Sequence, residues 1–376
     1  MAGRLGATSG GCMGADAAAV VVVGGGVMGL ATAWELARRG KRPVVLERFA
    51  RGHREGASHG ATRNFNNAYD EDHYLDLLVR AREGWDSLGD VGGAPLLRLH
   101  GLVTHGDVDL RRIHERLAAR GIPAEVLSAD EATRRWAGMR FDDDALWSPD
   151  AGVVRASAAL IEFERRILAA GGDVRWSTPV AAIDDRGEGI DVALADGSHL
   201  RAETVVVTVG AWSRNLVGEL GLPRLTVTEE TPAHFAPVDD AVWPSFNHYV
   251  DPAEYPATVY GMPTPGEGVK VGFHRVGDEV DPDARPHVPT HLDTLAGYVR
   301  EWMPGLDAAS AVPISCTYTS TDDGVFVLDR RGRIVVGAGF SGHGFKFATG
   351  IGATLADLAL DESARAAEPF RLSQVS

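Results

Sequence analysis

A chain of 376 residues, 44% hydrophobic and 24% charged, has the balance of a globular protein and the length for two domains sharing an interface. Its formal net charge of −15 argues against nucleic acid or an anionic membrane surface as a partner. Cys12 and Cys316 are its only cysteines, which excludes a disulfide framework and points to a reducing, cytoplasmic setting.

Met1 to Asp16 is rich in glycine, alanine and serine and has no apolar h-region, so a disordered leader is expected, not a secretory signal. No window reaches the length of a membrane-spanning helix, and Gln374 to Ser376 is not a peroxisomal tripeptide. The first structured stretch runs from Val20 to Glu47. Four β-branched residues, Val20 to Val23, predict a buried parallel strand. Gly24, Gly26 and Gly29 then fit G-x-G-x-x-G, and Leu30 to Arg39 continues as a helix stopped by Gly40. A second strand, Pro43 to Leu46, ends in Glu47, about 20 residues after the glycines, where a carboxylate accepts hydrogen bonds from a ribose. Strand, turn, helix, strand and acid together predict an adenine-dinucleotide site, with pyrophosphate at the helix N-terminus.

Arg48 to Asn67 is a polar, glycine-dotted loop at a strand's carboxyl end, where a doubly wound sheet keeps its ligand. Tyr74 to Leu88 carries a helical apolar stripe at Leu75, Leu78, Trp85 and Leu88. Leu96 to Thr104 reads as one strand; Leu110–Arg120 and Ala129–Trp136 read as surface helices, the second capped by Ser128. Ala156 to Ala170 is a further helix, followed by strands and turns to Val209, including Ala195-Asp196-Gly197. Gly210, at the end of the apolar strand Thr204–Val209, is a second point of close approach to a ligand. From Pro223 to Pro313 the texture changes to prolines and short strands, predicting a mostly antiparallel sheet with a helix at Leu292–Met303. The first domain resumes at Gly332–Gly337 and closes with a helix from Gly350 to Leu360.

Three separated clusters could carry chemistry. They are Ser58-His-Gly-Ala-Thr-Arg63, Lys270-Val-Gly-Phe-His274, and Cys316-Thr-Tyr318 with Gly339-Phe-Ser-Gly-His-Gly-Phe-Lys-Phe347. With the glycine fingerprint and Gly210-Ala-Trp212, they make the sequence resemble the monomeric sarcosine oxidase and N-methyltryptophan oxidase family of covalent-FAD amine oxidases. The likeness extends from Val20 to about Leu360.

The resemblance implies an α/β fold with a doubly wound, discontinuous FAD-binding domain over 18–97, 152–222 and 318–376. A second, mostly antiparallel-sheet substrate domain would take 98–151 and 223–317, after a leader over 1–17. It implies a monomer that oxidises the C–N bond of a secondary or amino-acid-like amine, passing hydride to flavin N5 to give an imine and reducing O2 to H2O2. An amine dehydrogenase with a different electron acceptor is the alternative. The fingerprint by itself also suits a nicotinamide-dependent dehydrogenase, and a flavin-bound interaction protein without catalysis stays open. No metal is expected.

Residue by residue, the resemblance makes Cys316 the 8α-S-cysteinyl attachment point of FAD. Lys270 would be the charge that assists oxygen reduction, and His274 the neighbour of the substrate amine. Arg63 and His59 would face the isoalloxazine ring. Gly342, His343, Gly344 and Phe345 would meet its pyrimidine edge, with Lys346 counted among the cofactor contacts as well as binding the substrate carboxylate. Arg48, Ser58, Thr62, Val180 and Trp212 are further cofactor contacts, and Tyr260 lines the substrate pocket. Asn66 departs from the pattern, because relatives taking small N-methyl amino acids carry an arginine there. An amide cannot make the charged fork an arginine makes on a carboxylate, which favours a substrate bulkier than sarcosine or one whose carboxyl is masked.

Overall fold

The computed structural model describes residues 17–373, so the expected leader lies outside the described residues except for Ala17, which already belongs to the first strand. That strand, Ala17–Val23, is central to a doubly wound sheet. It pairs in parallel with Val44–Leu46 on one side and with His199–Val207 on the other. Asp173–Arg175 extends the parallel run beyond Val44–Leu46, and Ile334–Ala338 extends it beyond His199–Val207. The long strand His199–Val207 serves two neighbours on that side: its start pairs with the antiparallel strand Ile190–Leu194, its end with Ile334–Ala338.

Valines at 20 to 23 are all buried because both faces of this sheet are covered, as a parallel sheet requires. The helices Val27–Arg38 and Ala348–Leu360 cross closely on one face. Glycine permits the approach: a Cβ on Gly352 would stand 2.7 Å from the Ala31 carbonyl carbon. Gly29, the third fingerprint glycine, has the same role, since a Cβ there would meet the Gly24 carbonyl oxygen at 1.8 Å.

The second large sheet has eight strands and draws on two stretches of chain. Val312–Pro313, Ala233–Phe235, Gly268–Phe273, Val259–Thr264 and Ser245–Tyr249 come from one, and Leu102–Gly106, Ala145–Ser148 and Glu125–Leu127 from the other. Every pairing is antiparallel except the one joining the two stretches, Ser245–Tyr249 with Leu102–Gly106. Helix Leu292–Trp302 packs on it through Leu295, Tyr298 and Val299. Two three-stranded sheets link the large ones, and Cys316–Ser320 lies in one of them, paired with Thr226–Glu230.

One expected strand is two. Leu96–Thr104 divides into Leu97–Leu99, which pairs with Gly152–Arg155, and Leu102–Gly106, which enters the large antiparallel sheet. The chain changes sheets at Gly101, whose φ of 85° and close seat against the Trp147 ring admit no side chain. Helix Ala129–Arg135 begins with the expected cap, a capping box in which Ser128 and Glu131 satisfy each other's backbone N–H groups.

Candidate functional site

The two large sheets face one cavity of about 1380 Å³ at the carboxyl ends of the parallel strands. A drug-sized ligand usually occupies a pocket of about 300–1,000 Å³, so this one has room for a dinucleotide and a second small molecule.

One end is built by the glycine turn. Gly24 adopts φ 102°, and a Cβ on it would come within 2.5 Å of the Thr208 carbonyl oxygen. Gly26 is the N-cap of the first helix and supplies no side-chain cap; the cap comes from another loop, where Ser58 Oγ accepts from the Val27 N–H at 3.0 Å. The buried Glu47 carboxylate accepts from the N–H of Gly25 at 2.6 Å and of Phe49 at 3.0 Å, holding the turn against the second strand. Arg48 stacks over Trp212 at 5.1 Å, and both side chains meet Asp283, by ion pair at 3.1 Å and hydrogen bond at 2.9 Å respectively. Val180 and Gly210 complete this wall. A backbone cradle without room for side chains, a helix N-terminus aimed at it and a buried acid beside it suit the ADP half of FAD.

The other end holds cations. Lys270 is buried on Gly268–Phe273, makes no side-chain hydrogen bond among the described residues, and lines the cavity. Burial, and then the Arg63 guanidinium, bring its pKa down to about 7. Lys346 is buried as well and is brought to about 7 by burial. Its Nζ donates to the Tyr69 hydroxyl and to the His343 carbonyl, both at 2.8 Å. His274 is lowered to about 4 by burial and then by Lys346, and His59 to about 4 by burial and then by Arg63. Both imidazoles are therefore neutral at physiological pH. Arg63 directs its guanidinium to the carbonyls of Ala57, His59 and Thr62, stapling the loop that carries His59.

Cys316 lines the same cavity as a free thiol, its Sγ only weakly engaged by the Thr317 carbonyl at 3.9 Å. Tyr260 accepts from the Tyr318 hydroxyl at 3.4 Å. Gly342 has φ 80° and would clash with the Tyr318 ring if it carried a Cβ, so the loop through Gly344, Phe345 and Lys346 presents backbone to the cavity. A chamber with two buried lysines, an arginine, neutral imidazoles and a free thiol suits a flavin ring and an anionic substrate.

Residues 19–358 of the chain match the family of FAD dependent oxidoreductases. The chain belongs to that family. This oxidoreductase is 29% identical over 362 residues to the monomeric sarcosine oxidase of Bacillus sp. (strain B-0618), covering 91% of this chain and 92% of the relative. It is 28% identical over 361 residues to the N-methyl-L-tryptophan oxidase of Yersinia pestis (strain Pestoides F), covering 91% and 95%. Among solved structures it resembles the open form of NikD, an unusual amino acid oxidase essential for nikkomycin biosynthesis. The TM-score is 0.81 at 27% identity, over 93% of this chain and 95% of that one.

Two expected cofactor contacts stand outside the cavity wall of this oxidoreductase. Gly29 is taken up by strand–helix packing, and Thr62 is buried with its hydroxyl 2.8 Å from that of Thr264. Thr62 turns toward Thr264, while its neighbours Arg63 and Asn64 both line the cavity. Asn66 does line the cavity, but its amide oxygen accepts from Ala68 N–H at 2.7 Å and its NH2 donates to Asn247 at 3.3 Å. Tyr69 is a site residue that sequence reasoning missed; it lies in a short polar stretch with no periodicity, and only its contact with Lys346, far along the chain, marks it.

Replacing Ser58 by alanine should remove the cap on the first helix and destabilise the protein by about 1 kcal/mol, whereas threonine should retain most of it. Urea midpoints of the two variants check this; equal midpoints would refute the cap.

Proposed function

We propose that this FAD-dependent oxidoreductase is an amine oxidase, acting on the C–N bond of a secondary or amino-acid-like amine larger than sarcosine. The carrying observation is a pair of buried lysines, Lys270 and Lys346, which share the cavity with Cys316 and take part in no ion pair among the described residues. Bound FAD supplies the hydride acceptor and the route for electrons to oxygen.

The chain's own residues divide the remaining work. Lys346 holds the substrate's carboxyl, the missing counter-ion for its charge. His274, neutral because its pKa is lowered to about 4, accepts a hydrogen bond and orients the amine in its unprotonated form. Lys270 forms no ion pair among the described residues and, in its protonated form, offers a positive charge to oxygen as negative charge develops there. Cys316, a free thiol on the cavity wall, would hold the flavin as an 8α-S-cysteinyl thioether. Arg63 and His59, on the cavity wall, would hold the flavin ring. Asn66 adds no charge near the carboxyl, and losing a charged hydrogen bond costs about 1.5–3 kcal/mol, or roughly tenfold to a hundredfold in affinity. A small substrate has little other surface with which to offset that; a larger one has Tyr260, Met262 and Tyr249 on the cavity wall.

The test is anaerobic flavin bleaching and aerobic peroxide release with sarcosine, N-methyltryptophan and pipecolate. Turnover of a bulky amine should exceed that of sarcosine by about tenfold or more in kcat/KM. Brisk, saturable sarcosine oxidation would overturn the size preference, and bleaching without peroxide would assign a dehydrogenase. Lys270→Met should slow reoxidation about a hundredfold, equivalent to about 2.7 kcal/mol, with a smaller effect on reduction. Equal slowing of both half-reactions would place Lys270 on the substrate instead. In acid precipitation the yellow colour should stay with the wild-type pellet and leave with the supernatant of Cys316→Ala.

A further inference from the structure

The ammonium of Lys346 has three N–H bonds. Tyr69 Oη takes one and the His343 carbonyl another, which leaves a single N–H for a ligand. The tyrosine hydroxyl accepts from Lys346, so its own proton is free to go to His343 Nδ1, 3.1 Å away. His343 fits that role, because its Nε2 lies 3.4 Å from the Gly324 carbonyl and must carry the proton on that side. The Tyr69 and Phe347 rings also face the ammonium, at 5.2 and 5.0 Å from their centroids. Lys346 is thus clasped on several sides by neutral groups.

Tyr69 is itself placed by the short loop before it. Asn66 closes a turn by accepting from Ala68 N–H and reaches Asn247 with its NH2. Asn67 donates to Ser148 at 2.7 Å, and its carbonyl accepts from Tyr69 N–H at 2.9 Å. The loop is therefore pinned to two strands of the antiparallel sheet while its tyrosine reaches across to the flavin-domain lysine.

We propose that Tyr69 is the positioning residue of the carboxylate subsite: it clasps Lys346 so that one ammonium N–H is aimed into the cavity, and Asn66 acts on that loop, not on the ligand. This rests on the reading of Lys346 as the carboxylate partner. Around Lys346 stand Tyr69, whose hydroxyl it meets, and His274 and His343, on which its charge acts; Tyr74 packs on His343, Arg275 acts on both imidazoles, and Glu71 acts on Tyr69. Among the described residues no carboxylate forms an ion pair with Lys346. Burial lowers the lysine's pKa to about 7, and the Tyr69 oxygen is one of its two hydrogen-bond acceptors. Removing that acceptor leaves the charged form less well solvated and moves the titration further down.

Propionate serves as a minimal carboxylate probe, titrated calorimetrically into the FAD-loaded protein between about pH 6 and 9, a range that spans the lysine's titration. Wild-type affinity should fall as the pH rises through the Lys346 titration. Tyr69→Phe should bind about tenfold more weakly near pH 7.5, with its midpoint displaced to lower pH, and should raise KM for an N-methyl amino acid more than it lowers kcat. Asn66→Ala should displace the midpoint in the same direction by less, and it carries the test if Tyr69→Phe does not fold. Lys346→Met separates the two readings. If it binds propionate as tightly as the wild type, the Lys346 assignment fails and the Tyr69 role with it. If it loses binding while Tyr69→Phe keeps wild-type affinity and midpoint, only the Tyr69 role is overturned. Weaker binding in Asn66→Ala with an unmoved midpoint would make Asn66 a direct ligand contact and overturn the proposal.

Discussion

Two lysines buried in the wall of one cavity, neither in an ion pair among the described residues, set the terms for the rest of this structure. Removing an ammonium from water is expensive, and both groups answer with a pKa brought down to about 7. In the unfolded chain the same lysines remain protonated up to about pH 10.4. The unfolded state therefore binds more protons than the folded one between about pH 7 and 10.4, and this contribution to stability is unfavourable at low pH and recovered as the pH rises. Folding has to carry that burden, and it does so through the packing of two large sheets and the close-crossed helices behind them.

The cavity follows from how the sheets meet. The parallel sheet contributes a backbone-lined end in which glycines at 24 and 26, the Glu47 carboxylate and a helix N-terminus leave little side-chain bulk. The antiparallel sheet contributes Lys270, His274 and Tyr260 from adjacent strands. Cys316 stands on neither large sheet. It lies on a small three-stranded one, paired with Thr226–Glu230, so its thiol is placed by that sheet.

Within that frame many polar side chains hold the scaffold and still face the ligand space. Arg63 staples its own loop through three carbonyls, Glu47 holds the glycine turn, and Ser58 caps a helix from a distant loop. Such double duty preorganises the site, because each group is fixed before a ligand arrives. The Lys270 side chain makes no hydrogen bond among the described residues, which leaves its charge available to what enters.

Local spacing made the dinucleotide half of this protein legible. Consecutive valines, glycines at 24, 26 and 29, and an acid at 47 encode a strand, a tight turn and a second strand within a few dozen residues, and the structure forms them there. The alternation of strands and helices and the proline-rich change near residue 223 likewise announced two kinds of sheet. The residues gathered around the cavity were nameable only by family resemblance, since clusters near 58, 270, 316 and 346 share no periodicity. Tertiary structure decided the break at Gly101, where the chain passes from one sheet to another within a stretch that reads as a single strand. It also decided that Thr62 turns toward Thr264, that Asn66 closes a loop, and that Tyr69 meets Lys346. The physical reason is that backbone geometry and periodic burial are written in near neighbours, whereas the partner a polar side chain finds is set by whichever distant segment packs beside it.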